Sequence, residues 1–407
     1  MVSPAGELLL HWAQQPPPDL EDALARQPSH LTLVPAAAPN GRGLLWVLPL
    51  GAASLGLHWL VLGARLGGDS QRYLEAGARL LAGQPLVDKQ ADFLAYDWLV
   101  AGVGWLGGGP AGVVLAQCLL ALLAGVLLYL GGRQALGHSA GLALGLAFLC
   151  WPDLQRWNFY VLTDGPFNSL LAAGLGLGLL TARRPLWWLG LLPCLALLAV
   201  MRPEGPLFLL PLALYLGLRG QPASALFILA LALLAWLVHP PSPASRAELV
   251  DNWLRATVIW GYSQLEGGLG LEPAPGQGPA HLAWRALLAN PWVVLGLLAR
   301  RGFWFLAHVR PFYSPAHNLL AGLGSLGLLL LGVWGALASG GHPRERVLGW
   351  AVLGLQLALA LFTWADWDGR FLTRVTPALM LLAAEALLGE EAPPSLNQRG
   401  QDSFSHL

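Results

Sequence analysis

The chain reads as an all-α polytopic membrane protein, on three observations. Its 407 residues are 55% hydrophobic and 11% charged, where a soluble domain carries about 25% charged residues. Mean hydropathy is +0.55. The apolar residues gather into runs, several of them near the ~20 residues that a helix needs to cross a bilayer. Such a surface is solvated by lipid. Basic and acidic residues number 23 each, so no cationic excess exists to neutralise phosphates, which argues against a nucleic-acid binder. Cys118, Cys150 and Cys194 lie in or beside apolar runs without paired spacing. They read as buried thiols rather than a disulfide framework or a metal site.

The elements follow in order. Residues 1–43 are polar, Pro-rich and mixed in charge, with no signal-peptide pattern, and are expected to form a cytoplasmic tail. Spans are expected at about 44–66, 110–132, 138–152, 163–182, 185–201, 204–218, 222–239, 318–338, 347–363 and 371–388. That makes about ten, within a range of roughly 8–12. The shorter ones imply tilt or re-entry. A tail at 389–407 closes the chain.

The first loop, 67–109, reads as interfacial. Residues 70–82 form a helix with two faces, Arg72, Glu75 and Arg79 on one and Tyr73, Gly77, Leu80 and Leu81 on the other. The run 92–107 is apolar but interrupted by Asp97 and glycines, and reads as a half-buried hairpin element. Short turns carrying Arg133, Arg183, Arg184, Arg219, Arg344 and Arg346 are assigned to the cytoplasm by the positive-inside rule. Both termini then lie inside, and Asp69, Asp164, Arg202, the long loop 240–317 and residues 366–370 lie outside. In that loop His239-Pro240-Pro241 ends a helix. A helix over 245–260, a Gly/Pro-rich stretch over 261–278 and a second helix over about 280–307 follow. Loops of this length are usually functional or disordered.

The outer side collects the ionisable groups, as an active site there would require. Asp69 stands where the first span meets the interfacial helix, a suitable place for a base acting on a substrate whose tail is in lipid. Aspartate is also a favoured helix cap, and both Asp69 and Asp164 fit that simpler role. Arg202 reads equally as a snorkelling side chain or a phosphate ligand. Arg370 and Arg374 share one helical face, and with Asp366 and Asp368 an ion network is an alternative. The histidines show no metal-ligand spacing. No cofactor is expected. A divalent metal on Asp69 stays open, without the acidic set that would argue for it.

Five motifs in order then point further: Asp69, Ser70 and Tyr73 after the first span; Leu162-Thr163-Asp164-Gly165-Pro166-Phe167; Met201-Arg202-Pro203-Glu204-Gly205; Arg310-Pro311-Phe312-Tyr313-Ser314; and Asp368-Gly369-Arg370-Phe371-Leu372 through Pro377. Together they resemble the GT-C fold glycosyltransferases, membrane enzymes that take a sugar from a polyprenyl-phosphate carrier. The protein mannosyltransferase-like and lipid A aminoarabinose transferase-like members are the most similar. The resemblance covers most of 44–388 and implies a GT-C-like domain there, in a bacterial inner membrane with its site on the periplasmic face. It implies a polyprenyl-phosphate sugar as donor, an acceptor glycolipid, glycan or protein, and direct displacement with inversion.

In that setting the donor's phosphate is already a good leaving group. The remaining tasks are to deprotonate the acceptor hydroxyl and to hold the phosphate charge. Asp69 and Asp164 are the catalytic candidates. Lys89, Arg202, Arg310 and Arg370 are the phosphate candidates, since guanidinium geometry suits phosphate. Tyr73, Asp97 and Arg374 are secondary. The chain departs from the pattern in showing only Asp69 where many relatives have an acidic pair, and in its expected lack of a sizeable soluble C-terminal domain. A lipid-linked sugar transporter or flippase and an oligosaccharide ligase of related fold stay open as alternatives.

Overall fold

The computed structural model describes residues 8–12, 31–35, 41–272, 276–337, 342–366 and 368–388. It divides into two compact units, Met1–Trp46 and Val47–Leu407. In the first, β1 (Leu8–Trp12) pairs in parallel with β2 (Leu31–Pro35). Each strand is a five-residue apolar run inside a stretch read only as a tail. The expected tail at 389–407 lies outside the described residues.

The rest is helical, in the order α1 (Leu44–Leu62), α2 (Ser70–Leu81), α3 (Leu94–Trp105), α4 (Pro110–Leu136), α5 (His138–Cys150), α6 (Pro152–Gln155), α7 (Asp164–Thr181), α8 (Trp188–Met201), α9 (Leu210–Leu218), α10 (Pro222–Val238), α11 (Pro243–Leu254), α12 (Pro279–Ala289), α13 (Pro291–Ala307), α14 (Pro315–Leu337), α15 (Pro343–Phe362) and α16 (Arg370–Leu388). Proline opens many of these helices, where its missing N–H costs nothing and its fixed φ suits the first turn.

Among the described residues five helices are long and apolar enough to cross a membrane alone: α1, α4, α15, α16 and residues Pro315–Gly335 of α14. The chain is a multi-pass membrane protein. Among the described residues each of the ten predicted spans is largely helical, but α7 is not one of the five, α5, α8 and α9 are short, and α10 qualifies only together with α11, from which it bends by 95°. The bend falls at His239-Pro240-Pro241, as proline demands.

Helix α7 differs from the others in being buried along its whole length. It needs no lipid-compatible surface, and so tolerates Asp164, Asn168 and Ser169 in its first two turns. Small residues let α4 close on it. A Cβ on Gly176 would stand 2.4 Å from the Leu127 carbonyl oxygen, and one on Gly131 2.4 Å from the Gly176 carbonyl oxygen. Without a hydrophobic driving force in lipid, such close backbone approach supplies the packing energy. Helix α16, also largely buried, lies against α7, α14 and α15. The N-termini of α7 and α16 therefore meet in the protein interior.

The long loop is better ordered than its composition suggests. Helix α11 stops at Leu254, short of the expected 260, and β3 (Thr257–Ile259) pairs antiparallel with β4 (Ser263–Gln264). Asn290 and Pro291 split the single helix expected over 280–307 into α12 and α13. Trp253, Val258, Leu269, Leu282, Leu297 and Ala365 form the core of this module.

Candidate active site

The polar groups of the site come from helix ends and the turns beside them. Asp164 opens α7, where the free N–H groups of a first turn favour a carboxylate. Arg202 sits in the break after α8, and Arg370 and Arg374 lie in the opening turns of α16. Arg202 Nη1 donates to Asp164 Oδ1 at 2.8 Å, and Arg370 Nη1 to Oδ2 at 3.2 Å. Arg374 Nη2 reaches Oδ1 at 3.5 Å. Glu204 Oε1 accepts from Arg202 Nε at 2.9 Å and from Arg374 Nη1 at 2.8 Å. Arg370 Nε donates to Asp368 Oδ1 at 2.8 Å and to Asp366 Oδ2 at 3.3 Å.

Three guanidiniums thus meet four carboxyls. Burial and the neighbouring Asp366 charge push Asp368 well above the usual carboxylate range. Burial also opposes ionisation of Asp366, but Arg370, the Asp368 hydrogen bond, Arg374 and Arg310 together outweigh it and hold that carboxyl low. Asp368 therefore holds its proton more firmly than Asp366 does. Removing one partner of a buried ion pair costs about 3–5 kcal/mol.

Asp69 stands at the rim, its side chain 46% exposed. It occupies the N-cap of α2 but makes no capping bond, so the simpler reading of this residue is not realised. Its carboxylate instead faces Arg72 Nη1 at 3.4 Å, and its field reaches Tyr73 and Arg370. The buried Tyr73 hydroxyl accepts from Arg72 Nη2 at 3.0 Å and lies 3.5 Å from Thr163 Oγ1. That oxygen accepts from Arg202 Nη1 at 2.9 Å. A polar chain therefore runs from Asp69 to Asp164.

Two phosphate candidates are otherwise engaged. Lys89 pairs with Glu248 at 2.8 Å, tying the first loop to α11. Arg310 is buried and donates to the backbone carbonyls of Asp366, Trp304 and Val309, a clamp on the turn before α16. Asp97 is fully buried and neither carboxyl oxygen has a partner.

Beside the network lies a cavity of about 670 Å³. Leu57, Val61, Leu320 and Ala321 of α1 and α14 make its walls apolar, and Asp153, Arg156, His308 and His317 form its polar end. His308 Nε2 and Asp153 Oδ2 are 2.6 Å apart. Gly369, at φ +78°, leaves room for the His308 ring, which a Cβ there would meet at 2.5 Å. Arg156 pairs with Asp153 at 3.0 Å, and its Nη2 donates to the Asp368 carbonyl at 3.2 Å. Arg156 and Arg370 both lie over the Trp157 ring, at 4.7 and 5.7 Å. Arg156 Nε and Trp157 Nε1 are buried donors with no acceptor. Arg156, at the polar end of the cavity, is thus tied to the turn that carries Arg370. Sequence reasoning missed Arg156, whose only signal is a charge in the short interval between α5 and α7. Among the described residues no group of three or more His, Cys, Asp or Glu side chains is placed to hold a metal ion.

These features define an all-α, multi-pass membrane protein with a buried Asp–Arg network. The family model described as dolichyl-phosphate-mannose-protein mannosyltransferase matches residues 93–243. Among solved structures, ArnT from Cupriavidus metallidurans bound to undecaprenyl phosphate is similar, with 17% identity and a TM-score of 0.49 over 89% of this chain and 63% of that one. The oligosaccharyltransferase AglB from Archaeoglobus fulgidus, in complex with an inhibitory peptide and a dolichol-phosphate, shows 12% identity and a TM-score of 0.49, over 89% and 54% respectively. The chain thus spans less than two thirds of the length of either. No curated protein matches it.

Proposed function

We propose that this protein is a glycosyltransferase that moves a sugar from a polyprenyl-phosphate donor to an acceptor hydroxyl on the periplasmic face of a bacterial inner membrane. One observation carries the reading. An apolar cavity has Asp153, Arg156, His308 and His317 at its polar end, and Arg156 bonds to the turn that carries Arg370 and its carboxylates, with a half-exposed carboxylate within electrostatic reach of that network. A lipid chain fits the cavity, and an anionic headgroup at its polar end meets Arg156, which lies over the Trp157 ring.

Arg370 stands beside them as the phosphate ligand expected from the sequence. Arg202, Arg374, Asp164 and Glu204 hold it in place, and Arg310 fixes the turn behind it. Lys89 serves the donor only by leaving Glu248. Asp69 takes the proton of the acceptor hydroxyl. As the acceptor oxygen bonds to the anomeric carbon, the bond from that carbon to the phosphate oxygen breaks. The polyprenyl phosphate leaves with the electron pair, its charge held by the guanidiniums. The GT-C resemblance and the match over 93–243 support this reaction type.

The test is Asp69→Asn in purified protein supplied with polyprenyl-phosphate sugars. Transfer should fall by about 10²–10⁴, the usual worth of a general base, with donor binding retained. Unchanged transfer removes Asp69 from the mechanism. Translocation of lipid-linked sugar across sealed vesicles without transfer would favour a transporter.

A further inference from the structure

We propose that Asp97 is a second berth for the Arg72 guanidinium, and that Arg72 moving from Asp69 to Asp97 releases Asp69 as a free base. The inference rests on the reading of Asp69 given above.

Helices α2 and α3 run side by side in the same direction. A Cβ on Gly77 would meet Val100 Cγ1 at 2.7 Å, and one on Gly104 would meet Leu81 Cδ1 at 3.1 Å. That register sets Tyr96 opposite Tyr73, so that Asp97 and Arg72 are each the chain neighbour of one of the facing tyrosines. Tyr73 stacks edge-on against Tyr96, with ring centroids 4.9 Å apart. Asp97 is thus enclosed at a helix interface with both oxygens unpartnered, an arrangement that costs about 1–3 kcal/mol or more.

The charges around it are few. From α2 it feels Arg72, the one charged group whose field reaches it. On its own helix Tyr96 donates to the uncharged Gln117 of α4. In the preceding turn Asp92 is held by Ser242 and Ser245, and Lys89 by Glu248. Helix α8 brings Cys194, which donates to the Leu170 carbonyl, and beyond it Arg202, held by Asp164 and Glu204.

Arg72 has a weak ionic partner, although its Nη2 also donates to the Tyr73 hydroxyl at 3.0 Å and its guanidinium lies over the Tyr73 and Phe93 rings at 4.9 and 4.8 Å. Its contact with Asp69 is long, at 3.4 Å, and half exposed, and such pairs contribute only ~0–1 kcal/mol. Its Nε is buried without an acceptor. Burial pushes Asp97 up to about 8, so that it is neutral below that pH. Once ionised it is an enclosed anion, and among the described residues Arg72 is the cation whose field reaches it.

The decisive experiment is a pair of structures of the full chain, roughly two pH units below and above that value, for the wild type and for Asp97→Asn. Arg72 should lie on Asp69 at low pH, move within hydrogen-bond reach of Asp97 at high pH, and stay on Asp69 throughout in Asp97→Asn. Arg72 on Asp69 at both pH values in the wild type overturns the proposal, whether or not the variant folds. With a turnover assay, kcat should rise with pH through this range in the wild type and lose that rise in Asp97→Asn, with Asp97→Glu restoring part of it. An equal loss at every pH would indicate a packing role and also overturn it. The two readings fail separately. Normal transfer by Asp69→Asn removes the base while the Arg72 movement still stands or falls on the coordinates.

Discussion

Asp366 and Asp368 lie two residues apart and share one arginine, so they cannot both ionise cheaply. The consequence is visible in stability. Asp368 is raised by burial and by the Asp366 charge. Its contribution is fully present below the unfolded value of about 4 and is lost as pH rises towards the folded one. Asp368→Asn keeps an oxygen for Arg370 and removes the ionisation. The variant should match the wild-type Tm near pH 4 and exceed it increasingly towards alkaline pH, in thermal-shift measurements on solubilised protein. A constant offset at all pH values would contradict the raised Asp368 carboxyl. At this scale Asp69, Asp164, Arg202 and Arg370 were legible, because each sits in a motif at a span boundary. Arg156 and the clamp made by Arg310 were not. A lone arginine between two spans looks like a membrane anchor, and sequence does not distinguish a guanidinium on phosphate from one on backbone carbonyls.

Helix packing here depends on backbone contact rather than side-chain bulk. The run Gly174-Leu175-Gly176-Leu177-Gly178 includes the position where α7 touches α4. Gly176→Ala should destabilise by about 1–3 kcal/mol, as overpacking does. Gly296→Ala, where nothing lies within 4 Å of the new Cβ, should be close to neutral. Equal melting of the two variants would show that the α4–α7 contact is looser than described. Apolar periodicity located the helices well and their breaks less well. Pro291 was available as a breaker and still the run over 280–307 read as one helix, because the hydrophobic pattern continues across it. Helix α7 shows the opposite limit. Its polar first turns depress its hydropathy, and only complete enclosure by neighbours explains why they are tolerated.

Across the whole molecule, motifs separated by hundreds of residues converge on one network, and an apolar cavity opens beside it. The order of the motifs was legible; their convergence was an expectation carried by resemblance. The cavity was not legible at all, because its walls, α1 and α14, lie at opposite ends of the chain and share no sequence signal. If it holds the carrier chain, Ala321→Trp should raise KM for an undecaprenyl-phosphate sugar and leave KM for a short-chain analogue nearly unchanged. Equal effects on both donors would move the lipid elsewhere.

The most direct measurement is a structure of the full chain with undecaprenyl phosphate bound. The phosphate should lie within hydrogen-bond distance of Arg156 and Arg370, with the first isoprene units between α1 and α14. A phosphate seated away from these arginines, or a tail outside that cavity, would contradict the proposed reaction site.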